Sequence, residues 1–111
     1  MKTSSMKLGR HTVITLKEPI NHQNCKELEV PVLDALEKSH LPIILEFTEV
    51  SYLDSAALEM LLRLQDTIKK RGSLVKLVNL NTLCRDIMIV TRLLNQFNVF
   101  SSVQEAVKEL S

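Results

Sequence analysis

Residues 43–58, which read IILEFTEVSYLDSAAL, decide the fold of this chain. The apolar run over residues 41–47 has the length and composition of a strand that is buried on both faces of a sheet. A polar connection over residues 48–53 leads to Asp54 and Ser55, two residue types that commonly begin helices. The stretch therefore predicts a buried strand, a short loop and a helix over residues 55–71.

The predicted helix has one clear apolar stripe. At 100° of rotation per residue, one narrow side of the helix carries Ala57, Leu61, Leu64 and Ile68. Leu58 and Leu62 lie off this stripe. They are expected either to pack at the edge of the core or to extend from Ser55 as an apolar contact strip for a partner.

Outside this stretch, strands and helices are predicted to alternate along the chain. Strands are predicted over residues 6–8, 11–16, 74–78 and 97–100, and helices over residues 21–39, 82–95 and 102–110. The first of these helices is either kinked at Pro31 or begins close to it. The helix over residues 82–95 is expected to face the core through Leu83, Ile87, Val90 and Leu94.

This order predicts an α/β fold with a mixed, mostly parallel sheet of four to five strands packed with about four helices. The length of 111 residues favours one domain, over residues 6–111, with a disordered tail over residues 1–5.

The composition argues against several classes of function. The net charge is +1, whereas nucleic-acid binding usually requires a basic excess, so no nucleic-acid partner is expected. Cys25 and Cys84 form no metal-binding motif, and we predict no metal and no cofactor. No signal peptide and no apolar run of about 18 residues is present, so we expect no membrane insertion and a cytoplasmic protein.

Ser55 is the candidate site of chemistry. The first N–H groups of a helix have no partners within the helix, and they can hold a phosphate at this position. The alternative is that Asp54 or Ser55 only caps the helix. Ser55 lies in no GxSxG motif and the chain has no glycine-rich phosphate loop, so we predict no catalytic residues and no enzyme activity.

Residues 45–64, which read LEFTEVSYLDSAALEMLLRL, resemble a STAS domain, the fold shared by anti-sigma factor antagonists and the cytoplasmic tails of sulfate transporters. The family pattern is an apolar strand, a loop with Asp-Ser-Ser/Ala-Gly-Leu, and a helix. The chain matches it at Asp54, Ser55, Ala56 and Leu58 and departs from it at Ala57, where glycine is usual. The resemblance extends over residues 7–110.

The resemblance implies an anti-sigma factor antagonist, a bacterial signalling phosphoprotein that regulates transcription by partner switching. Its partner would be an anti-sigma factor that is also a serine kinase of the ATPase-kinase fold. That kinase would bind the chain while Ser55 is unmodified and release it once Ser55 is phosphorylated, and a serine phosphatase would restore binding. The expected contact residues are Asp54, Ser55, Ala56, Ala57, Leu58 and Leu62. The alternative is a STAS accessory subunit of an ABC-type lipid transporter or another complex, in which Ser55 is not phosphorylated.

Overall fold

The predicted strands form one five-stranded sheet in the computed structural model, which describes residues 1–109. The strand order follows the chain, and the strands are β1 (Thr3–Leu8), β2 (His11–Leu16), β3 (Ile43–Glu46), β4 (Val75–Val78) and β5 (Asn98–Phe100). The first two strands are antiparallel, and each later strand runs parallel to its neighbour. The prediction of a mixed, mostly parallel α/β sheet is confirmed.

The prediction of a disordered tail over residues 1–5 is wrong for residues 3–5. These residues belong to β1, where Thr3 pairs with Leu16 and Leu8 pairs with His11 across a hairpin. Gly9 forms the turn with a φ of 61°, a conformation that glycine adopts without strain. Most side chains of β1 are exposed, so no apolar pattern marks the strand; its main-chain hydrogen bonds to β2 hold it in place.

Over the described residues, four α-helices connect or follow the strands. They are α1 (Glu29–Ser39), α2 (Ser55–Lys70), α3 (Thr82–Val90) and α4 (Val103–Lys108). A short 3-10 helix, Cys25–Leu28, precedes α1, so the first α-helix starts later than residue 21, and of the two alternatives for Pro31 the one that places it near the start of the helix is confirmed. Pro31 is the third residue of α1, where its missing N–H costs no intrahelical bond. The predicted end of the last helix at Leu110 lies outside the described residues.

The helices cover the two faces of the sheet unequally. The main core lies between one face and α1, α2 and α3, and it includes Ile14, Leu45 and Leu77 from the three central strands. The opposite face carries a small second core, formed by Val13, Ile44, Val78 and Ala106. Ala106 belongs to α4, so this face is covered by α4. The predicted stripe of α2 is confirmed, since Ala57, Leu61, Leu64 and Ile68 are all buried.

The predicted core stripe of α3 is wrong. Leu83 is 52% exposed and Val90 is 81% exposed, whereas Cys84 and Met88 are fully buried. The remaining two predicted core residues, Ile87 and Leu94, are half-buried, and α3 ends at Val90 instead of continuing to residue 95.

Asn81 gives the physical reason for this orientation. Its side-chain oxygen caps α3 by accepting the N–H of Cys84 at 2.7 Å. Its side-chain nitrogen donates to the carbonyl oxygens of Val50, at 3.3 Å, and Ser51, at 3.1 Å. The first turn of α3 is thereby tied to the loop between β3 and α2, and this fixes which face of α3 turns towards the core.

Candidate functional site

The candidate site lies where the loop after β3 enters α2. Asp54 has an extended backbone, and its Oδ1 atom accepts the N–H of Ala57 at 2.9 Å. This is the geometry of a side-chain N-cap, so Asp54 satisfies one of the free donors at the start of α2. Of the two capping residues considered from the sequence, the structure selects Asp54.

The second carboxylate oxygen of Asp54 binds His22. The backbone N–H of His22 donates to Asp54 Oδ2 at 2.8 Å, and the imidazole Nδ1 lies 3.3 Å from the same atom. One carboxylate therefore joins the start of α2 to the segment that follows β2.

A second contact joins the same two segments through the main chain. Ile20 and Leu53 form an isolated parallel β-bridge, in which the N–H of Ile20 donates to Tyr52 and the N–H of Asp54 donates to Ile20, both at 3.2 Å. Ile20 and Leu53 are also buried in the main core. The loop that carries the site is thus fixed by main-chain bonds, by packing and by the Asp54 carboxylate.

The pKa of Asp54 is lowered from its ordinary value. Partial burial acts to raise it, but the hydrogen bonds from the N–H groups of Ala57 and His22 and from the His22 ring outweigh that effect. Hydrogen bonds to the charged form favour that form. Asp54 is accordingly a carboxylate at neutral pH.

Ser55 is the first residue of α2 and is exposed. Because Asp54 caps the helix, the Ser55 hydroxyl is not required for capping. The structure therefore separates two roles that the sequence left open, with helix capping on Asp54 and an accessible hydroxyl on Ser55.

Two of the predicted contact residues are buried. Ala57 is 0% exposed and Leu58 is 2% exposed, and both belong to the main core, so their side chains are not accessible at this surface, and of the two alternatives for Leu58 the structure supports packing against the core. The physical reason is that α2 packs against α1 and the preceding 3-10 helix as well as against the sheet, and so buries a wider arc than a single stripe. The methyl group that replaces the family's glycine at Ala57 points into the protein.

Ala56 and Leu62 are half-buried beside the main core. Of the six predicted contact residues, Ser55 is thus the exposed one, and Asp54, Ala56 and Leu62 are partly accessible.

Two exposed side chains near Ser55 were not predicted. The side chain of His22 is 73% exposed, and Tyr52 is 42% exposed. The side chain of Asn21 donates to the hydroxyl of Tyr52 at 3.3 Å, which links these two surface segments. Tyr52 lies within the stretch that decides the fold and could have been found there. No signal in the sequence indicates His22, because 32 residues separate it from Asp54.

Residues 1–109 contain no cluster of three or more histidine, cysteine, aspartate or glutamate side chains able to hold a metal ion. Over the same residues, no helix has the length and apolar character needed to cross a membrane.

Comparison with known proteins identifies the family whose sequence pattern this chain matches. A family model described as STAS domain matches residues 4–106. A search of curated protein sequences returned no match.

Several solved structures share the fold. The protein TM1081 of Thermotoga maritima, provisionally assigned as an anti-sigma factor antagonist, has a TM-score of 0.87 at 20% identity, with 97% of this chain and 93% of that chain covered. The Bacillus cell fate determinant SpoIIAA in its phosphorylated form has a TM-score of 0.70 at 17% identity, with 99% of this chain and 100% of that chain covered. SpoIIAA is described as an anti-sigma factor antagonist.

The fold also occurs inside a transporter. The murine anion transporter Slc26a9 has a TM-score of 0.75 at 20% identity over 93% of this chain, which corresponds to 18% of the transporter chain. At identities this low, each of these likenesses establishes the fold alone.

Proposed function

This chain belongs to the STAS domain family, and we propose that it acts as an anti-sigma factor antagonist, a protein-binding module controlled by phosphorylation of Ser55. In this proposal the unmodified chain binds an anti-sigma factor that is also a serine kinase of the ATPase-kinase fold. Phosphorylation of Ser55 ends the interaction, and a serine phosphatase restores it. The chain itself has no enzyme activity and works in the bacterial cytoplasm as a regulator of transcription.

One observation carries the proposal: Ser55 is exposed at the first position of α2, directly after the residue that caps the helix. Since Asp54 already provides the cap, a phosphate on Ser55 leaves the helix start intact. A modified serine that also capped α2 would disturb the fold and not only the surface.

The N-terminus of α2 offers a favourable environment for a phosphate. Asp54 takes the N–H of Ala57, so an anion on Ser55 meets the N–H groups of Ser55 and Ala56 and the positive end of the helix dipole. A phosphate adds about 1.5 to 2 negative charges at neutral pH. The fold tolerates this charge here, while the surface that a partner sees changes strongly.

The contact surface in this proposal consists of Ser55 with its accessible neighbours. We assign to it Asp54, Ala56 and Leu62 from the predicted set, and we add His22 and Tyr52. An aromatic side chain on a fixed loop is a typical anchor in protein interfaces. A charge on Ser55 would then lie next to the apolar part of the interface, where it is costly to remove from water.

The test is phosphorylation of the purified chain by the candidate kinase with magnesium and ATP. Mass spectrometry is expected to find one added phosphate, located on Ser55. Ser55→Ala should abolish the modification, whereas Ser51→Ala, at an exposed serine of the same loop, should not. A phosphate on another residue, or none, would contradict the phosphorylation switch.

The fold's occurrence in a transporter chain favours a second function. The chain would then be an accessory subunit of an ABC-type lipid transporter or another complex, and Ser55 would be a contact residue without modification. In that case the chain purified from cells in its complex should carry no phosphate on Ser55 when it is analysed by mass spectrometry. A phosphate on Ser55 of the free chain, and none on the chain in the complex, would favour the switch.

A further inference from the structure

Lys76 is a lysine in the middle of the sheet, and it is only 1% exposed. It lies on β4, and its side chain points to the face that α4 covers. Buried lysines are rare because removal of the ammonium group from water is costly unless the group is fully hydrogen-bonded. The contacts of Lys76 therefore indicate what this residue does.

The Lys76 ammonium has three hydrogen-bonding partners. Its nitrogen lies 2.7 Å from the carbonyl oxygen of Ala106, 2.8 Å from that of Glu109 and 3.1 Å from Nε2 of His11. An ammonium group has three N–H donors, so all three are used. The Phe100 ring adds a cation–π contact, with its centroid 5.5 Å from the nitrogen.

Two of these partners are main-chain carbonyls at the end of α4. The last carbonyl oxygens of a helix have no N–H donors within the helix, and a cation there also complements the helix dipole. Lys76 thus holds the C-terminal end of α4 against the sheet. Within residues 1–109, the apolar contacts beneath α4 are those of the small second core, so this attachment matters more than it would for α1, α2 or α3.

The third partner, His11, can act as an acceptor only in one protonation state. To accept from Lys76, Nε2 must carry its lone pair, so the proton of the neutral ring is on Nδ1. His11 is 6% exposed, and Nδ1 is buried without a hydrogen-bonding partner within the described residues. Protonation of Nε2 would remove the acceptor and place two cations in contact.

We propose that α4 is a pH-controlled latch, in which protonation of His11 breaks the contact with Lys76 and releases α4 while α1, α2 and α3 stay folded. The step needs one proton, taken from water by Nε2 of His11. The released ammonium then reaches solvent as α4 leaves, and the apolar side chains of Val13, Ile44 and Val78 become accessible.

The surroundings of His11 and Lys76 favour the neutral form of His11 in the folded protein. Burial, and then the charge of Lys76, lower the pKa of His11. Burial also lowers the pKa of Lys76, and the Glu109 carboxylate partly opposes that effect. Within residues 1–109, the other titratable side chains on the elements around the pair are Lys7 of β1, Arg10 of the hairpin turn, Glu46 of β3, and Glu105 and Lys108 of α4. Of these, Glu46 is bonded to Thr48 and Glu105 to Ser101, and β5 has no titratable side chain.

The sign of the pH dependence follows from His11. Its pKa is lower in the folded protein than in the unfolded chain, so its contribution to stability is complete above the ordinary histidine pKa of about 6.5. That contribution is lost as the pH falls from there through the folded pKa. The helix α4 is therefore held against the sheet at neutral pH and is released in acid.

The test is amide hydrogen exchange of the full chain at pH 7.5 and 5.5, corrected for the intrinsic exchange rates and read by mass spectrometry. We expect the protection of residues 103–108 to fall at least tenfold more than that of residues 55–70. His11→Gln is the matched control, since its amide oxygen can accept from Lys76 but does not titrate in this range. Its α4 should stay protected at both pH values.

Two results would overturn the proposal. The first is that the protection of α4 and that of α2 fall by the same factor in the native chain between pH 7.5 and 5.5. The second is that α4 loses as much protection in His11→Gln as it does in the native chain. Lys76→Met provides a further comparison and should show weak protection of α4 at both pH values. If that variant does not fold, the comparison of the native chain with His11→Gln still decides.

Discussion

His22 and Asp54 form a two-point contact, in which the backbone N–H and the ring nitrogen of His22 both approach one carboxylate oxygen of Asp54, at 2.8 and 3.3 Å. The other oxygen of the same carboxylate caps α2. The entry to the helix is therefore positioned by a residue that is not the proposed phosphorylation site. We therefore expect a change of charge at Ser55 to leave the local structure intact.

The first prediction concerns charge at Ser55. We expect Ser55→Asp to fold normally, because a carboxylate at a helix N-terminus is favourable. It should weaken binding of the partner kinase at least tenfold, which corresponds to about 1.4 kcal/mol. Ser55→Ala should keep its affinity and change the free energy of unfolding by less than about 0.5 kcal/mol, since Asp54 is the cap. The measurements are calorimetric titration and urea unfolding.

Ser51→Asp is the control for this prediction, because it adds the same charge to an exposed position of the same loop. It should bind more tightly than Ser55→Asp. Equal affinity of the native chain and Ser55→Asp would contradict a charge switch.

The second prediction concerns the cap. Asp54→Ala removes the bond to the N–H of Ala57 and both contacts with His22. We expect it to lower the free energy of unfolding by about 1–2 kcal/mol, the upper part of the range for helix caps. Urea unfolding followed by circular dichroism measures this change.

Asp66→Ala is its control in the same helix. Asp66 makes an exposed ion pair with Lys70 at 3.0 Å, and such pairs contribute less than about 1 kcal/mol. An equal loss of stability in the two variants would show that Asp54 has no special role at the start of α2.

The third prediction is a dependence on acid pH. The pKa of Asp54 is lower in the folded protein than its ordinary value, so its carboxylate stabilises the fold fully above about pH 4. This contribution should be lost as the pH falls from there through the folded pKa. Asp54→Asn keeps a capping side chain but cannot titrate. Its stability deficit relative to the native chain, measured by urea unfolding, should therefore shrink between pH 7 and pH 3. A deficit of the same size at both pH values would contradict the assignment.

The fourth prediction compares Leu58, whose burial the sequence left open, with Val90, which was wrongly predicted to face the core. Leu58→Ala should lower the free energy of unfolding by about 2–5 kcal/mol, as expected for a leucine in a packed core. Val90→Ala should change it by less than about 0.5 kcal/mol, because Val90 is 81% exposed on α3. Thermal or urea unfolding of both variants checks this, and the reverse order would contradict the packing of α2 and α3.

Local patterns were sufficient for much of the fold and for part of the site. The continuous apolar run of β3 and the regular stripe of α2 predicted both elements, because a strand buried on two faces and a helix on a sheet impose clear spacings. Asp54 and Ser55 were identified because caps and free helix donors depend on a few neighbouring residues. The family resemblance was carried by the same stretch.

Other elements left weaker or ambiguous signals. β1 has few buried side chains, so only its main-chain pairing with β2 reveals it. On α3 two apolar faces compete, one with Leu83 and Val90 and the other with Cys84 and Met88. Periodicity identifies both faces equally, and the bonds of Asn81 to the neighbouring loop select the second.

The sequence by itself determined the order of strands and helices, the buried strand before the site and the pair Asp54 and Ser55 at the start of α2. Only the tertiary structure decided that His22 binds Asp54, that Leu58 belongs to the core, and that Lys76 meets His11 beneath α4. The physical reason is distance along the chain: 32 residues separate His22 from Asp54, and 65 separate His11 from Lys76. Such pairs form when parallel strands and their crossover helices bring remote segments to one place, and no local spacing records them.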